Sequence, residues 1–105
     1  MECYLVYMTA ANQTEAERIG RALVERRLAA CVNILSGCRS LYWWEGQVQS
    51  ETEVAFVAKT TAERFPALVD AVKSLHSYTV PCIVGVPIHD GNPDFLRWIW
   101  EETRA

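Results

Sequence analysis

The spacing of apolar residues alternates between strand-like and helix-like periods along the chain, and this alternation restricts the possible folds most strongly. Aromatic and β-branched residues at a period of two predict four strands. The first spans residues 3–9, the second spans residues 31–35 and continues at 39–44, the third spans residues 48–59, and the fourth spans residues 79–88. Three helical stripes separate or follow them: Ala16, Ile19, Gly20 and Leu23; Phe65, Leu68, Val69, Val72 and Leu75; and Phe95, Trp98 and Ile99. The element order is therefore β-α-β-β-α-β with a terminal helix.

This order predicts an α+β fold: a ferredoxin-like, split βαβ antiparallel sheet with helices packed on one face and an extra C-terminal helix. Right-handed crossovers place the first and third strands in the middle of the sheet. A chain of 105 residues has the length of one domain with one core, so residues 1–105 are expected to form a single unit. Gly37 predicts a bulge or bend in the second strand, and Glu45-Gly46-Gln47 predicts a hairpin turn.

Polar residues ahead of each helical stripe predict where the helices begin. Thr14 and Asn12 each have a Glu three residues later, so either can start the first helix with a capping box. Thr60 and Thr61 are expected to cap the second helix. Asn92, just before a proline, is expected to cap the third.

The predicted strands are apolar on both faces of the sheet. Helices packed on one face cover only that face, so the other apolar face would stay exposed in a monomer. In the first strand, one alternating set is Tyr4, Val6 and Met8, and the other is Cys3, Leu5 and Tyr7. A patch of that size exceeds what soluble monomers usually expose, so self-association is predicted, with the number of subunits left open. Pro81 and Pro87 lack an N–H on the same side of the last strand, which predicts an edge strand.

Composition excludes two classes of partner. The chain has 10 basic and 13 acidic residues and a net charge of -3, with no Lys- or Arg-rich face, so nucleic-acid binding is not expected. No apolar run approaches the ~20 residues needed to span a bilayer. The N-terminal residues have no basic or apolar signal-peptide pattern, so a cytoplasmic location is expected. Four cysteines without CxxC spacing are expected to remain thiols, most simply as small apolar core residues.

Several segments match, in order and spacing, the signatures of a known family. They are residues 28–34 (LAACVNI), residues 40–46 (SLYWWEG), Lys59-Thr60-Thr61, His76-Ser77-Tyr78 with Val80-Pro81, and Pro87-Ile88 before Gly91. Because these motifs stand in one register over nearly the whole chain, the sequence resembles the CutA divalent-cation-tolerance family.

That resemblance implies a compact homotrimer of ferredoxin-like protomers, so the expected partner is the chain itself. Its architecture is similar to that of the PII signalling proteins, which bind nucleotides in clefts between subunits. The resemblance also implies a role in tolerance to copper or another divalent cation, with no metal required for folding. The alternative is a PII-like sensor that binds a small anionic ligand in inter-subunit clefts.

Cys31, His76 and Cys82 are the candidate metal ligands. Cys82 stands where the family commonly has an acidic residue after Pro81, and Ser77 replaces the usual Pro between His and Tyr. A thiolate in place of a carboxylate favours soft ions such as Cu(I). The structural alternatives are that His76 ends the second helix and bonds to backbone carbonyls, and that Cys31 fills a small apolar space.

Lys59, Tyr78 and Trp44 are the candidate residues for a small ligand. Lys59 either binds an anion in an inter-subunit cleft or pairs with Glu53 or Glu63, whereas the two aromatic residues either stack on a ligand or pack at a subunit contact. The sequence contains no nucleophile elbow, Walker loop or dinucleotide motif, so no catalytic residue is assigned and an enzyme is not expected. A third hypothesis is an enzyme with a Cys31 nucleophile and His76 as its base.

Overall fold

The computed structural model describes residues 2–104, and within them the chain forms four strands and three helices. They are β1 (Cys3–Ala10), α1 (Gln13–Glu25), β2 (Cys31–Trp44), β3 (Gln47–Thr61), α2 (Phe65–Leu75), β4 (Ile83–Ile88) and α3 (Pro93–Glu102). The strands form one antiparallel sheet in the order β2-β3-β1-β4. The predicted α+β fold and the central positions of β1 and β3 are confirmed. Among residues 2–104, no helix has the length and apolar character needed to cross a membrane.

The main core lies between one face of the sheet and helices α1 and α2. Val6 and Met8 of β1 and Phe56 of β3 are fully buried there. Leu23 of α1 and Leu68 of α2 belong to the same buried cluster. Burial of these side chains removes apolar surface of β1, β3, α1 and α2 from water, and this holds both helices against the sheet.

Helix α3 packs on the opposite face of the sheet, so the prediction that helices lie on one face does not extend to it. Cys3 of β1 is buried against Ile99 of α3 and Ala30. Because side chains alternate along a strand, Cys3 points away from the face that carries Val6 and Met8. The helix therefore covers one end of an apolar face that a two-layer fold would leave exposed.

The remainder of that second face is apolar and uncovered in the protomer. Across the β1–β4 pair, Tyr7 lies opposite Val84, and Leu5 lies opposite Val86. Tyr7, Val84 and Val86 are 38%, 51% and 48% exposed. Leu35 of β2 lies on the same face and is also exposed. We call these five residues the uncovered sheet face, and they carry the apolar pattern that led to the expectation of self-association.

The helix starts confirm the caps predicted at Asn12 and Asn92 and correct the one predicted at Thr60. The side chain of Asn12 accepts a hydrogen bond from the backbone N–H of Glu15 at 2.9 Å, so α1 begins at the earlier of the two predicted positions. Thr60 does not cap α2, because its buried hydroxyl donates to the carbonyl of Leu28 at 2.7 Å. The hydroxyl of Thr61 accepts from the backbone N–H of the residue that precedes α2.

Strand β2 contains the predicted bulge, and the bulge changes which side chains share a face. Leu35 pairs with Ala55, but Cys38 pairs with Glu53, so β2 holds one extra residue between these pairs. Gly37, within the bulge, has a φ of +82°, a conformation that glycine adopts most readily. An extra residue reverses the alternation of side chains. As a result, the side of the sheet that carries Tyr7 also carries Cys38, Ser40, Tyr42 and Trp44.

The hairpin turn and the last strand both lie close to their predicted positions, but their boundaries differ from the prediction. Glu45 and Gly46 have φ angles of +51° and +78°, which is typical of a two-residue hairpin turn. The predicted turn also included Gln47, which is instead the first residue of β3. Strand β4 is confirmed as an edge strand, but it begins at Ile83 and not at residue 79. Pro81 therefore lies in the preceding loop, and Pro87 alone lies within the edge strand. Residues 76–82 therefore form a loop beside the sheet and are not part of a strand.

Candidate functional site

An open cleft of about 850 Å³ lies on the second face of the sheet, at the end that α3 leaves uncovered. One wall is the β2–β3 hairpin beyond the bulge, the floor is β1, and the other wall is the loop between α2 and β4. The hairpin cleft, as we name it, is lined by Tyr7, Thr9, Cys38, Arg39, Ser40, Leu41, Tyr42, Trp44, Glu45, Gln49, Glu51, Glu53, Ser77, Tyr78, Thr79, Val80 and Cys82. Its volume falls within the range of about 300–1,000 Å³ that is typical of small-molecule sites.

Glu53 supplies a carboxylate to this cleft although the residue is only 6% exposed. Its Oε2 accepts a hydrogen bond from the hydroxyl of Tyr78 at 2.6 Å. Burial raises the pKa of Tyr78 and the Glu53 carboxylate raises it further, so the hydroxyl stays protonated and donates at neutral pH. Among residues 2–104, no cationic side chain lies within ion-pair distance of Glu53. A buried carboxylate with one neutral donor favours the approach of a cation.

Most of the charged residues around the cleft have the same sign as Glu53. Glu45 and Glu51 also line it, and Arg39 is the one basic residue among the described lining residues. The guanidinium of Arg39 donates to the hydroxyl of Thr52 at 3.2 Å, and no ion pair between Arg39 and a carboxylate forms within residues 2–104. An excess of carboxylates raises the local concentration of cations and repels anions.

The loop wall of the cleft is held by hydrogen bonds to the helices and the sheet. The backbone N–H of Ser77 donates to Oε2 of Glu15 in α1 at 2.8 Å. The buried ring of His76 places Nε2 at 2.7 Å from the carbonyl oxygen of Thr9, and its Nδ1 accepts from the backbone N–H of Tyr78 at 3.1 Å. The proton therefore lies on Nε2, which donates to the carbonyl of Thr9. These contacts, with the Tyr78–Glu53 bond, tie the loop to α1, β1 and β3.

Glu15 is the anchor of this loop on the helix side. Its Oε1 also accepts from the backbone N–H of Ala11 at 3.0 Å. Burial alone would raise the pKa of Glu15, but the hydrogen bonds from Ser77 and Ala11 and the nearby His76 outweigh burial. The pKa of the carboxyl therefore lies below its ordinary value of 4.5.

We expect Glu15→Gln to lower the free energy of unfolding by about 1–3 kcal/mol at neutral pH, because charge-assisted hydrogen bonds to two backbone groups are weakened. A group with a lowered folded-state pKa stabilises the fold above its unfolded-state pKa and loses that contribution as the pH falls through the folded-state pKa. The difference between wild type and variant should therefore shrink below pH 4.5. Urea unfolding at a series of pH values measures it.

Glu17→Gln is the matched control, since Glu17 is an exposed residue of the same helix whose side chain bonds to Gln13. Its unfolding free energy should change by less than about 0.5 kcal/mol. An equal loss in the two variants, or a Glu15→Gln loss that does not vary with pH, would contradict the anchoring role of Glu15.

Two thiols lie in the cleft, and the sequence patterns had singled out only one of them. The sulfur of Cys38 is 4.0 Å from the hydroxyl of Tyr7 and 3.9 Å from that of Ser40. Burial raises the pKa of Cys82, and the Glu53 carboxylate raises it further, so this thiol is protonated at neutral pH. A metal that binds Cys82 must displace its proton, which makes affinity increase with pH. All four cysteines are free thiols, as predicted.

The three candidate metal ligands are not brought together in the protomer. Cys31 lies level with Leu5 of β1, whereas His76 contacts Thr9, which is roughly 13 Å farther along the strand at about 3.3 Å per residue. Cys82 lines the hairpin cleft instead. One ring nitrogen of His76 contacts the backbone carbonyl of Thr9 and the other accepts from the backbone N–H of Tyr78, so the structural alternative applies to one of the two nitrogens. Residues 2–104 contain no group of three His, Cys, Asp or Glu side chains placed to hold a metal ion.

Two of the three candidate ligand-binding residues do line the same cleft. Tyr78 and Trp44 belong to it, but Lys59 does not. The ammonium of Lys59 donates to the side-chain oxygen of Asn33. The expected pairing of Lys59 with Glu53 or Glu63 is not formed in the described part of the chain.

The residues that the sequence patterns missed are Glu53, Glu51, Cys38 and Tyr7. A signal for three of them was present, because the predicted bulge at Gly37 reverses the alternation of β2. Counted from that bulge, Cys38 and Ser40 share a face with the two carboxylates, since they pair with Glu53 and Glu51. Predicting Tyr7 also requires the order of the strands, because β3 lies between β1 and β2 in the sheet.

Known proteins resemble the chain over almost all of its length. Residues 4–102 match the family model described as CutA1 divalent ion tolerance protein. The chain belongs to the CutA1 family. The divalent-cation tolerance protein CutA of Archaeoglobus fulgidus is 49% identical over 91% of this chain and 93% of that protein. The solved structure of the divalent cation tolerance protein from Thermus thermophilus has a TM-score of 0.95 at 46% identity, covering 97% of this chain and 99% of the other. CutA from Xylella fastidiosa has a TM-score of 0.96 at 36% identity, covering 99% and 100%.

CutA1 membership confirms the resemblance carried by the sequence motifs. The matched range includes both walls of the hairpin cleft, since residues 38–53 and 77–82 lie inside it. The cleft therefore belongs to the part of the chain that defines it as a CutA1 protein.

Proposed function

We propose that this CutA1 chain is a homotrimeric, cytoplasmic protein of divalent-cation tolerance that binds copper or another divalent cation and has no catalytic role. The observation that carries the proposal is Glu53, a nearly buried carboxylate without a cationic partner in residues 2–104, inside a cleft with further carboxylates and two thiols. Such a lining attracts cations, which agrees with the divalent ion tolerance named for the family.

The uncovered sheet face supports the homotrimeric part of the proposal. Its side chains are large, apolar and contiguous across β1 and β4, and burial against copies of the chain removes them from water. The chain is therefore its own partner. The hairpin projects beyond the sheet, with Trp43 74% exposed and Leu41 72% exposed, and supplies further apolar surface for contact between copies.

Glu53 and Cys82 are the proposed protein ligands of the cation. A carboxylate and a thiol together suit borderline and soft cations such as copper and zinc better than magnesium or calcium. One protomer does not assemble three ligands within residues 2–104, so we assign the remaining coordination positions to a second copy and to water. Cys31 and His76 are left out because they lie apart and the ring nitrogens of His76 are already bonded.

The anionic-ligand alternative has less support from the same cleft. It depended on Lys59, which lies outside the cleft and is bonded to Asn33. The charges that do line the cleft are mainly carboxylates, which repel a nucleotide phosphate.

Calorimetric titration of the reduced protein with Cu(I), Cu(II) and Zn(II) tests the proposal. We expect Glu53→Gln and Cys82→Ser to weaken the affinity for the preferred ion about tenfold or more, because each removes a ligand. Glu17→Gln and Cys31→Ser are the matched controls and should bind as the wild type does. Absence of binding in an intact assembly, or loss of binding in Cys31→Ser alone, would refute this assignment.

A further inference from the structure

Two aromatic rings of the hairpin cleft, those of Tyr42 and Trp44, are partly exposed in the protomer. Tyr42 and Trp44 follow each other on the same face of β2, and they are 37% and 45% exposed. Tyr78 lies on the loop wall, where its ring packs on that of His76 at 4.6 Å between ring centres. The face of an aromatic ring attracts a cation within about 6 Å of its centre, and indole and phenol rings do so best. The cleft therefore presents several faces that favour positive charge.

The carboxylates of the cleft lie beside these rings. The hydroxyl of Tyr78 donates to Glu53 at 2.6 Å. Glu51 lies on the same face of the hairpin as Tyr42, opposite Ser40. An acidic group thus lies near each of these tyrosines, and neither carboxylate has an ion-pair partner in residues 2–104. A ligand that carries its charge close to apolar groups would satisfy rings and carboxylates together.

The size of the cleft leaves room for a molecule as well as for an ion. A metal ion needs several donor atoms within about 2–2.6 Å of one point, and the described residues of one protomer hold no such group. A cleft of about 850 Å³ is far larger than an ion and has room for an organic ligand. An alkylammonium group needs no coordination shell, since its charge is spread over methyl or methylene groups that pack against aromatic faces.

We propose that the hairpin cleft also binds an organic cation, with an alkylammonium group held against Trp44 and Tyr42 beside the carboxylates of Glu53 and Glu51. The inference rests on the proposed function in one respect, that the cleft attracts cations. It differs in naming a ligand class that a single protomer can hold through aromatic faces and charge, without metal ligands.

Choline and its uncharged analogue 3,3-dimethylbutan-1-ol are the probes, because the two have nearly the same shape and differ in charge. Titration of the full-length, metal-free assembly is followed by amide chemical shifts in NMR spectra and by calorimetry. Choline is expected to shift the amide signals of Glu53, Tyr78 and Trp44 in a saturable manner. The uncharged analogue is expected to bind at least about tenfold more weakly, because it has no attraction to the rings or the carboxylates.

Three substitutions of tryptophan separate ring attraction from packing. Trp44→Leu keeps an apolar side chain without a ring face and should weaken choline binding about fivefold to tenfold, whereas Trp44→Phe should retain most of the affinity. Trp43→Leu is the matched control, since Trp43 pairs with Val48 and points to the other side of the hairpin. Light scattering on every variant verifies that the assembly is intact.

The inference is overturned if the uncharged analogue binds as tightly as choline, if Trp43→Leu weakens binding as much as Trp44→Leu, or if choline leaves the cleft amides unshifted. Metal binding without choline binding would overturn this inference and leave the proposed function standing. Choline binding without metal binding would support it and refute the metal-binding part of the proposed function.

Discussion

Val84→Asp is expected to dissociate the assembly into monomers of 11.9 kDa. Val84 is 51% exposed in the protomer and lies opposite Tyr7 on the uncovered sheet face, which we propose is buried between copies of the chain. A carboxylate at this position would lose its hydration in an apolar contact, at a cost of several kcal/mol in each subunit. Light scattering should give three times the chain mass for the wild type and the single-chain mass for the variant.

Val24→Asp is the control for this substitution. Val24 is 41% exposed on α1, which covers the other face of the sheet, so the same charge there should leave the mass of the assembly unchanged. A Val84→Asp protein that keeps the wild-type mass would show that the uncovered sheet face is not the contact between subunits.

Phe56→Ala is expected to lower the free energy of unfolding by about 3–5 kcal/mol, because it leaves a large cavity in the main core. Phe56 is completely buried on β3, between its neighbours Met8 on β1 and Ile34 on β2. Both neighbours are anchored in a paired strand, so collapse around the missing ring is limited. Guanidinium chloride unfolding measures the change, at one fixed protomer concentration because assembly contributes to stability.

Phe95→Ala serves as the comparison for the loss of a phenyl ring. Phe95 is 41% exposed on α3 and stacks on Trp98 at 5.4 Å between ring centres. Its removal should cost less than about 1.5 kcal/mol, since little buried area is lost. Equal losses for the two substitutions would contradict the placement of the main core between the sheet and helices α1 and α2.

Local periodicity was sufficient to predict the elements of the fold, and the handedness of the crossovers then predicted which two strands lie in the middle of the sheet. The period of two in β1 and β3 and the period of 3.6 in α1 and α2 are set by burial on one side, which the structure confirms. The late start of the last strand was not predictable in this way. Residues 79–82 have strand-like composition, but the hydrogen bonds of Ser77 and Tyr78 to α1 and β3 hold the preceding loop away from the sheet.

The placement of α3 was also beyond local patterns. Its apolar stripe predicts a helix with one buried face, but not which side of the sheet that face meets. Cys3 and Ile99 are separated by almost the whole chain and become neighbours only in the folded state. Such long-range contacts are absent from a periodicity analysis.

Only part of the candidate site was predicted from the sequence, because the burial of a side chain is a property of the folded chain. Tyr78, Trp44 and Cys82 were selected from the motifs, and all three line the hairpin cleft. Glu53 was considered only as a partner for Lys59, because a Glu in a strand is normally solvated. Its importance depends on burial and on the missing cationic partner within residues 2–104, which are properties of the folded chain.

The location of bound copper tests the central claim most directly, since that claim places the cation in the hairpin cleft. Paramagnetic Cu(II) broadens the NMR signals of nearby amides, so adding it in small amounts to the intact assembly identifies the binding position. The proposed site predicts early loss of the signals of Glu53 and Cys82 while the signals of Cys31 and Lys59 persist. Early loss at Cys31 with the cleft signals intact would contradict the assignment of the cleft as the cation site.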